Sequence, residues 1–156
     1  MKKFIIILFL SGFFSDFFYS QDCNDYSKFA DCRRSIKRHY NMYLQPKNAS
    51  IGINDTLTYN VVFYGNRDYI ISFCADQIYY PINIRLLQPE TRMELYDNTA
   101  DNYCVSIGVG FYNTQNVIIE ATFLATNLNK DKITSKDKLC VGMTMQWKKI
   151  FKNIEN

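Results

Sequence analysis

Residues 68–76 read Asp-Tyr-Ile-Ile-Ser-Phe-Cys-Ala-Asp, and their alternation predicts a β-strand with one buried face. The side chains on the side expected to face a core are Tyr69, Ile71 and Phe73. Cys74 falls on the opposite side. Residues 139–147 alternate in the same way and carry Cys140 near their start. We therefore expect these two stretches to lie together in one β-sandwich.

The rest of the chain after residue 50 also reads as short strands separated by turn residues. Seven strands are predicted, at 56–64, 68–75, 82–88, 92–97, 103–112, 116–124 and 139–148. Strands at this spacing, with no helical pattern between them, predict an all-β fold. We assign residues 50–150 to an antiparallel, jelly-roll-like β-sandwich. Gly108 and Gly110 fall on the outer side of their strand, which predicts a bulge or a close neighbouring backbone.

The first twenty residues have the layout of a secretory signal peptide. Three residues with two lysines precede an apolar run over residues 4–14. Asp16 interrupts that run before it reaches the roughly 20 residues that a membrane-spanning helix needs. We place the signal peptide at 1–20 and expect no stable transmembrane segment after its removal. The expected location is the periplasm, the cell surface or the extracellular space.

Residues 21–45 are predicted to form an amphipathic helix. Its apolar positions recur at steps of three and four and are Tyr26, Phe29, Cys32, Ile36, Tyr40 and Tyr43. Pro46 cannot continue the helix, which should therefore end a few residues earlier. The basic positions between them are Arg33, Arg34, Lys37, Arg38 and His39. They suit an anionic lipid or glycan, but a solvated face that complements the helix dipole is the simpler interpretation.

Five cysteines in an exported chain imply at least one disulfide and at least one unpaired thiol. Cys74 ends its predicted strand, Cys140 begins its own, and both point to the outer side. If the two strands are antiparallel neighbours, a structural disulfide between Cys74 and Cys140 follows, with Cys104 as the competitor. Cys23 and Cys32 would lie about 13 Å apart in a continuous helix, too far for a disulfide. They pair only if the chain before the helix folds back.

Most catalytic constellations are absent from the sequence. His39 is the one histidine, which excludes a nucleophile–histidine triad that does not use it and any multi-histidine zinc site. No glycine-rich phosphate loop or dinucleotide fingerprint occurs. A net charge of +3 is too mild to indicate a nucleic-acid partner. We therefore predict a non-enzymatic protein without catalytic, cofactor-binding or metal-binding residues and without a cofactor.

Two sets of residues are compatible with other functions, namely calcium binding, carboxylate catalysis and sugar binding. Asp97, Asn98, Asp101 and Asn102 cluster in one loop, and Asp76 ends a strand. Such oxygens can hold calcium, but Asp and Asn also form turns, and two carboxylates suffice for a glycosidase. The aromatic residues available to stack on sugars or to pack against a partner are Tyr64, Tyr79, Tyr80, Tyr112 and Trp147. The hypotheses are a binding or envelope-associated module with a protein or glycan partner, a carbohydrate-binding module, and a carboxylate-dependent hydrolase.

Three segments carry a resemblance: residues 51–56 (IGINDT), 65–74 (GNRDYIISFC) and 140–143 (CVGM). They resemble a group of small, exported, uncharacterised bacterial proteins in which a Gly-Arg-Asp-Tyr strand ending in Cys and a final Cys-Val-Gly strand recur. Asn66, between the Gly and the Arg, departs from that pattern, and Cys104 is additional. The overall plan is similar to the β-sandwich of bacterial pre-peptidase C-terminal domains. The resemblance implies a non-catalytic sandwich in which the two Cys-bearing strands are neighbours.

Overall fold

A computed structural model describes residues 23, 24, 26, 32, 37–76, 79–126 and 138–150. The strands formed by these residues are β1 (Asn41–Met42), β2 (Lys47–Gly52), β3 (Thr56–Phe63), β4 (Arg67–Cys74), β5 (Ile82–Leu87), β6 (Glu94–Asp97), β7 (Ser106–Phe111), β8 (Gln115–Phe123) and β9 (Lys138–Lys149). A short 3₁₀ helix, Asn98–Asp101, follows β6. The predicted signal peptide at 1–20 lies outside the described residues. Within the described part of the chain, no helix is both long enough and apolar enough to span a bilayer.

The strands form two antiparallel sheets that pack as a sandwich. In sheet 1, β9 lies between β4 on one side and β1 and β2 on the other, and β7 lies beyond β4. Sheet 2 has the order β3-β8-β5-β6. The predicted all-β sandwich is confirmed, and each of the seven predicted strands is present to within three residues at either end. β1 and β2 were not predicted, because their sequences are short and mostly polar.

The core between the sheets is built by the alternation that predicted it. β4 and β9 supply the sheet 1 side through Tyr69, Ile71, Phe73, Val141, Met143 and Met145. β5 and β8 supply the sheet 2 side through Ile82, Ile84, Leu86, Val117, Ile119, Ala121 and Phe123. All of these side chains are at most 2% exposed. Burial of this apolar surface is the main free energy that holds the two sheets together.

The outer face of sheet 1 is also covered, which the alternation did not predict. Ser72 and Cys74 on β4 and Thr144 and Gln146 on β9 are each at most 2% exposed. The segment before β1 lies on this face, since the Lys37 backbone N–H donates to Gln146 Oε1 at 2.8 Å. The central strands of sheet 1 therefore have two buried faces.

Two disulfides fasten the N-terminal residues to that face. Cys23 bonds to Cys140 and Cys32 bonds to Cys74, with Cα–Cα distances of 5.3 and 5.2 Å. The predicted Cys74–Cys140 bond is therefore wrong, although both residues form disulfides. Cys104 is unpaired and exposed.

The strand register explains the error. β4 and β9 are antiparallel neighbours, as predicted, but Cys74 lies opposite Gly142. Cys140 lies two residues before Gly142 in β9, so the two cysteines are diagonal neighbours. Diagonal Cα atoms lie about 7–8 Å apart, beyond the usual range for a disulfide.

The predicted helix over 21–45 does not reach its predicted end. Asn41 and Met42 form β1, which pairs with Gln146 and Trp147 of β9. Tyr43 N–H then donates to the Met145 carbonyl at 2.8 Å. Backbone pairing with β9 thus replaces helix hydrogen bonds, and this tertiary contact overrides the local 3.6-residue periodicity. Most of the earlier part of the predicted helix lies outside the described residues.

Candidate binding surface

Aromatic and basic side chains meet at the end of sheet 1 where β4 begins and β9 ends. We call this the aromatic–basic surface and define it by Tyr64, Arg67 and Trp147. The register of β4 and β9 creates it by placing Tyr69 opposite Trp147. Arg67 is therefore the diagonal neighbour of Trp147 on the same face of the sheet.

Arg67 is held against two aromatic rings. Its guanidinium carbon lies 4.0 Å from the centroid of the Trp147 ring and 5.2 Å from that of Tyr64. Each such cation–π contact contributes about 0.5–1 kcal/mol at an exposed site. None of the ion pairs among the described residues involves Arg67. The guanidinium is thus positioned without being neutralised.

Lys148 lies at the same end of sheet 1 but on its outer face, because consecutive strand residues point to opposite faces. Its Nζ lies 5.0 Å from the Tyr40 ring centroid and 3.7 Å from Asp68 Oδ2. The pKa of Lys148 is raised chiefly by its hydrogen bond to Tyr40 and also by the negative charge of Asp68. This side chain therefore carries a full positive charge at neutral pH.

A layer of aromatic rings below the surface holds it in place. Tyr69 OH accepts the Tyr64 N–H at 2.9 Å and donates to the Tyr64 carbonyl at 3.2 Å. Tyr43 OH donates to the Val62 carbonyl. The rings of Tyr43 and Phe63 lie 5.0 and 4.7 Å from that of Tyr69, edge to face. Because these contacts fix the backbone at Tyr64, little order remains to be imposed when a partner binds.

Lys149 adds positive charge to the aromatic–basic surface. It is exposed at the end of β9 and lies opposite Arg67 on the same face of sheet 1. Lys37 and Arg38 are also exposed, but the Lys37 backbone N–H bonds to Gln146 on the outer face. The surface therefore carries two cationic side chains, and none of the ion pairs among the described residues involves either one.

The acidic loop over residues 97–102, which the sequence analysis considered as a calcium site, caps the 3₁₀ helix instead. Asp97 Oδ1 accepts the Thr99 N–H at 2.8 Å and the Asn83 Nδ2–H at 3.0 Å. Asp101 Oδ2 accepts the Tyr96 hydroxyl at 2.6 Å, a bond that, after burial, raises the pKa of Tyr96. The carboxylates thus stabilise the 3₁₀ helix and the turn around it.

Asn98, from the same loop, is fully buried. Its Oδ1 accepts the Ile84 N–H at 2.8 Å, and its Nδ2 donates to the carbonyls of Ile82 and Cys104. No group of three or more His, Cys, Asp or Glu side chains with metal-binding geometry occurs among the residues described. Turn formation accounts for the hydrogen bonds of this loop.

The five aromatic residues singled out in the sequence divide into two sets. Tyr64 and Trp147 belong to the aromatic–basic surface. Tyr112 is 72% exposed, and its carbonyl accepts the Asn66 N–H, which places it near the same end of the sandwich. Tyr79 and Tyr80 are half-buried against the core. No sequence pattern singles out Arg67, because its contact with Trp147 depends on the diagonal neighbourhood of β4 and β9.

The chain was compared with known proteins. No protein-family model matches it, and no curated protein matches its sequence. Among solved structures, it is similar to PliG of Aeromonas hydrophila, a periplasmic lysozyme inhibitor of g-type lysozyme. The identity is 9%, the match covers 66% of this chain and 84% of that chain, and the TM-score is 0.47. A likeness this remote says nothing about function.

Proposed function

We propose that this chain is an exported, non-enzymatic binding module that recognises a partner protein through its aromatic–basic surface. The observation that carries the proposal is the half-buried Arg67, whose guanidinium is held against Trp147 and Tyr64 and forms none of the ion pairs among the described residues. The two disulfides support export, because such bonds persist in oxidising compartments. Membership in the group of small exported bacterial proteins stays a prediction.

The composition of the surface favours a protein partner. Trp, Tyr and Arg dominate the residues that contribute most to protein–protein binding. Here the hydroxyl and backbone hydrogen bonds beneath Tyr64 keep the set rigid before binding. A rigid, half-buried cation gains most from an acidic partner, whose field also raises the association rate. The expected partner therefore presents carboxylates around an apolar contact.

A carbohydrate-binding module is the second candidate. Sugars stack on open aromatic faces, and Tyr112 offers one at 72% exposure. Trp147, by contrast, has a ring face occupied by the Arg67 guanidinium at 4.0 Å. The surface is thus better suited to carboxylates than to a row of stacked sugar rings.

The test compares the native protein with Arg67→Met and with the matched control Arg38→Met. Each immobilised protein is exposed to envelope proteins of the source organism, and the captured protein is purified for titration. We expect Arg67→Met to raise Kd by about 30-fold, the effect of losing a contact worth about 2 kcal/mol. Arg38→Met should change Kd by less than about threefold. Equal Kd values for the two variants would refute the assignment of the surface.

A fluorescence titration separates the two candidates. Trp147 is the one tryptophan of the chain and belongs to the surface, so its emission reports any ligand that binds there. Saturable quenching by a member of a broad glycan panel would favour the carbohydrate-binding module. A flat response to glycans, with quenching by the purified partner protein, is the result expected here.

A further inference from the structure

β7 is an edge strand of sheet 1 whose outer backbone groups have no strand partner among the described residues. It pairs with β4 on one side only. Phe73 N–H donates to the Val105 carbonyl at 2.9 Å, and residues in an antiparallel pair alternate in the side to which they bond. Ile107 and Val109 therefore bond to β4, whereas the backbone groups of Ser106 and Gly108 point away from it.

Contacts at Ser106 agree with this alternation. Its carbonyl accepts the Cys104 thiol at 3.2 Å rather than a backbone donor. Gly108 and Gly110 are exposed. A Cβ placed on Gly108 would meet nothing within 4 Å, and β7 pairs with β4 without a register shift, so the part of the chain that the structure describes shows neither the close backbone nor the bulge predicted at this glycine. No strand among the described residues pairs with this edge.

The sequence of β7 lacks the usual protection of an edge. Natural edge strands carry Lys, Pro or inward-pointing charges that prevent pairing with other chains. β7 reads Ser-Ile-Gly-Val-Gly-Phe and has none of these. An unprotected edge of this kind is suited to the addition of an extended peptide, in which backbone bonds supply affinity and pockets supply specificity.

A groove of about 510 Å³ runs beside this edge. One wall is β7, with Ser106 and Gly108, and the other is the 3₁₀ helix and the turn after it, with Asp101 and Asn102. Asp101 is the one charged side chain among the described residues that line it. The groove therefore offers space for the side chains of an added strand and favours a basic one.

We propose that β7 is a docking edge for an extended segment of another polypeptide, which carries a basic side chain and adds to sheet 1 beyond β7. Charge complementarity decides against a second copy of this chain, because β7 has no basic residue to meet Asp101. The length of β7 also argues against a second copy. A six-residue edge buries far less than the roughly 1,200–2,000 Å² of a stable interface between folded copies. This surface is separate from the aromatic–basic surface.

The experiment uses Gly108→Pro and its matched control Gly108→Ala. Proline removes the outward N–H of residue 108 without breaking a bond to β4, and alanine keeps that N–H while its Cβ enters open space. The probe is a phage-displayed library of random decapeptides, selected on the folded, disulfide-bonded protein. We expect enriched peptides that contain Lys or Arg, bind Gly108→Ala like the native protein and bind Gly108→Pro at least tenfold more weakly. Asp101→Asn should also weaken them and reduce their salt dependence.

A second measurement does not depend on the variants. Amide hydrogen exchange in the native protein should slow at Ser106, Gly108 and Gly110 when a selected peptide is added. The proposal is overturned if no peptide is enriched, if exchange slows elsewhere but not at these three residues, or if a folded Gly108→Pro binds as well as Gly108→Ala. Concentration-dependent dimerisation that Gly108→Pro abolishes would identify a second copy as the occupant and would also overturn it.

Discussion

The two sheets cover their outer faces by different means. On sheet 1, distant N-terminal residues are bonded covalently to β4 and β9 through two disulfides. On sheet 2, the turn after β5 is held by charge: the Glu120 side chain is 7% exposed and binds Arg85 at 2.7 Å and Arg92 at 2.5 Å. Arg92 adopts a left-handed backbone at φ 59°, and its guanidinium reaches Glu120 on β8.

The difference follows from sequence distance. The turn that carries Arg92 directly follows β5, so closing it over sheet 2 costs little chain entropy. Cys23 and Cys140 are 117 residues apart, and a non-covalent contact over that distance has to offset a much larger loop closure. Both proposed binding features lie on sheet 1, whose cover is covalent. Rigidity there reduces the ordering cost of binding.

The largest effect is expected from removing the disulfides. The double variants Cys23→Ser/Cys140→Ser and Cys32→Ser/Cys74→Ser release loops with sequence separations of 117 and 42. Unfolded-state entropy then predicts losses of about 4–5 and about 4 kcal/mol in the free energy of unfolding. Urea denaturation measures both.

The control for the disulfide variants is Cys104→Ser, because Cys104 is unpaired and exposed. It should change the free energy of unfolding by less than about 0.5 kcal/mol. Thr144 and Gln146 should also lose protection from hydrogen exchange when the cover is released. If the double variants are as stable as Cys104→Ser, the covalent cover contributes nothing and the comparison between the sheets fails.

A smaller loss in the free energy of unfolding is expected when the ion pairs on sheet 2 are removed. Arg85→Met/Arg92→Met leaves the buried Glu120 carboxylate without either ion-pair partner. Stranding a buried charge costs about 3 kcal/mol. Glu120→Gln should cost only about 1 kcal/mol, because the two arginine side chains, 39% and 55% exposed, can be hydrated instead. An equal loss in the two variants would show that hydrogen bonding rather than charge holds this turn.

The sandwich could be predicted from the sequence because apolar and polar side chains alternate in the strands that form the core. Tyr69, Ile71 and Phe73 face the core as expected, and so do Ile107 and Phe111 on β7. Those positions depend only on which face of a strand is buried, and period-2 patterning records this directly.

The disulfides and the binding surface could not be found in the same way. The partner of Cys74 depends on a register that places Gly142 rather than Cys140 opposite it. The contact between Arg67 and Trp147 depends on the same register. Hydrophobic alternation fixes which face a residue occupies but not which residue lies opposite. Sites that depend on cross-strand neighbours are therefore lost even when every strand is located.

The smallest effect concerns the junction of the two sheets, where Asp97 caps the 3₁₀ helix after β6. Burial raises the pKa of Asp97, but hydrogen bonds from Thr99 and Asn83 and the charge of Arg85 outweigh it, so the pKa is lowered. A carboxyl with a lowered folded pKa stabilises the fold above its unfolded value of about 3.9, and this contribution is lost as pH falls through the folded value.

Asp97→Ala removes the cap and should cost about 1 kcal/mol at pH 7, whereas Asp97→Asn keeps an acceptor for the Thr99 N–H and should cost less. Urea denaturation from pH 7 down to pH 2.5 measures both variants against the native protein. The stability advantage of the native protein over Asp97→Asn should be constant above about pH 5 and shrink below about pH 4. An advantage that does not change with pH would mean that the cap acts through hydrogen-bond geometry alone. The junction of the sheets would then resist acid, as the disulfide-bonded cover of sheet 1 does.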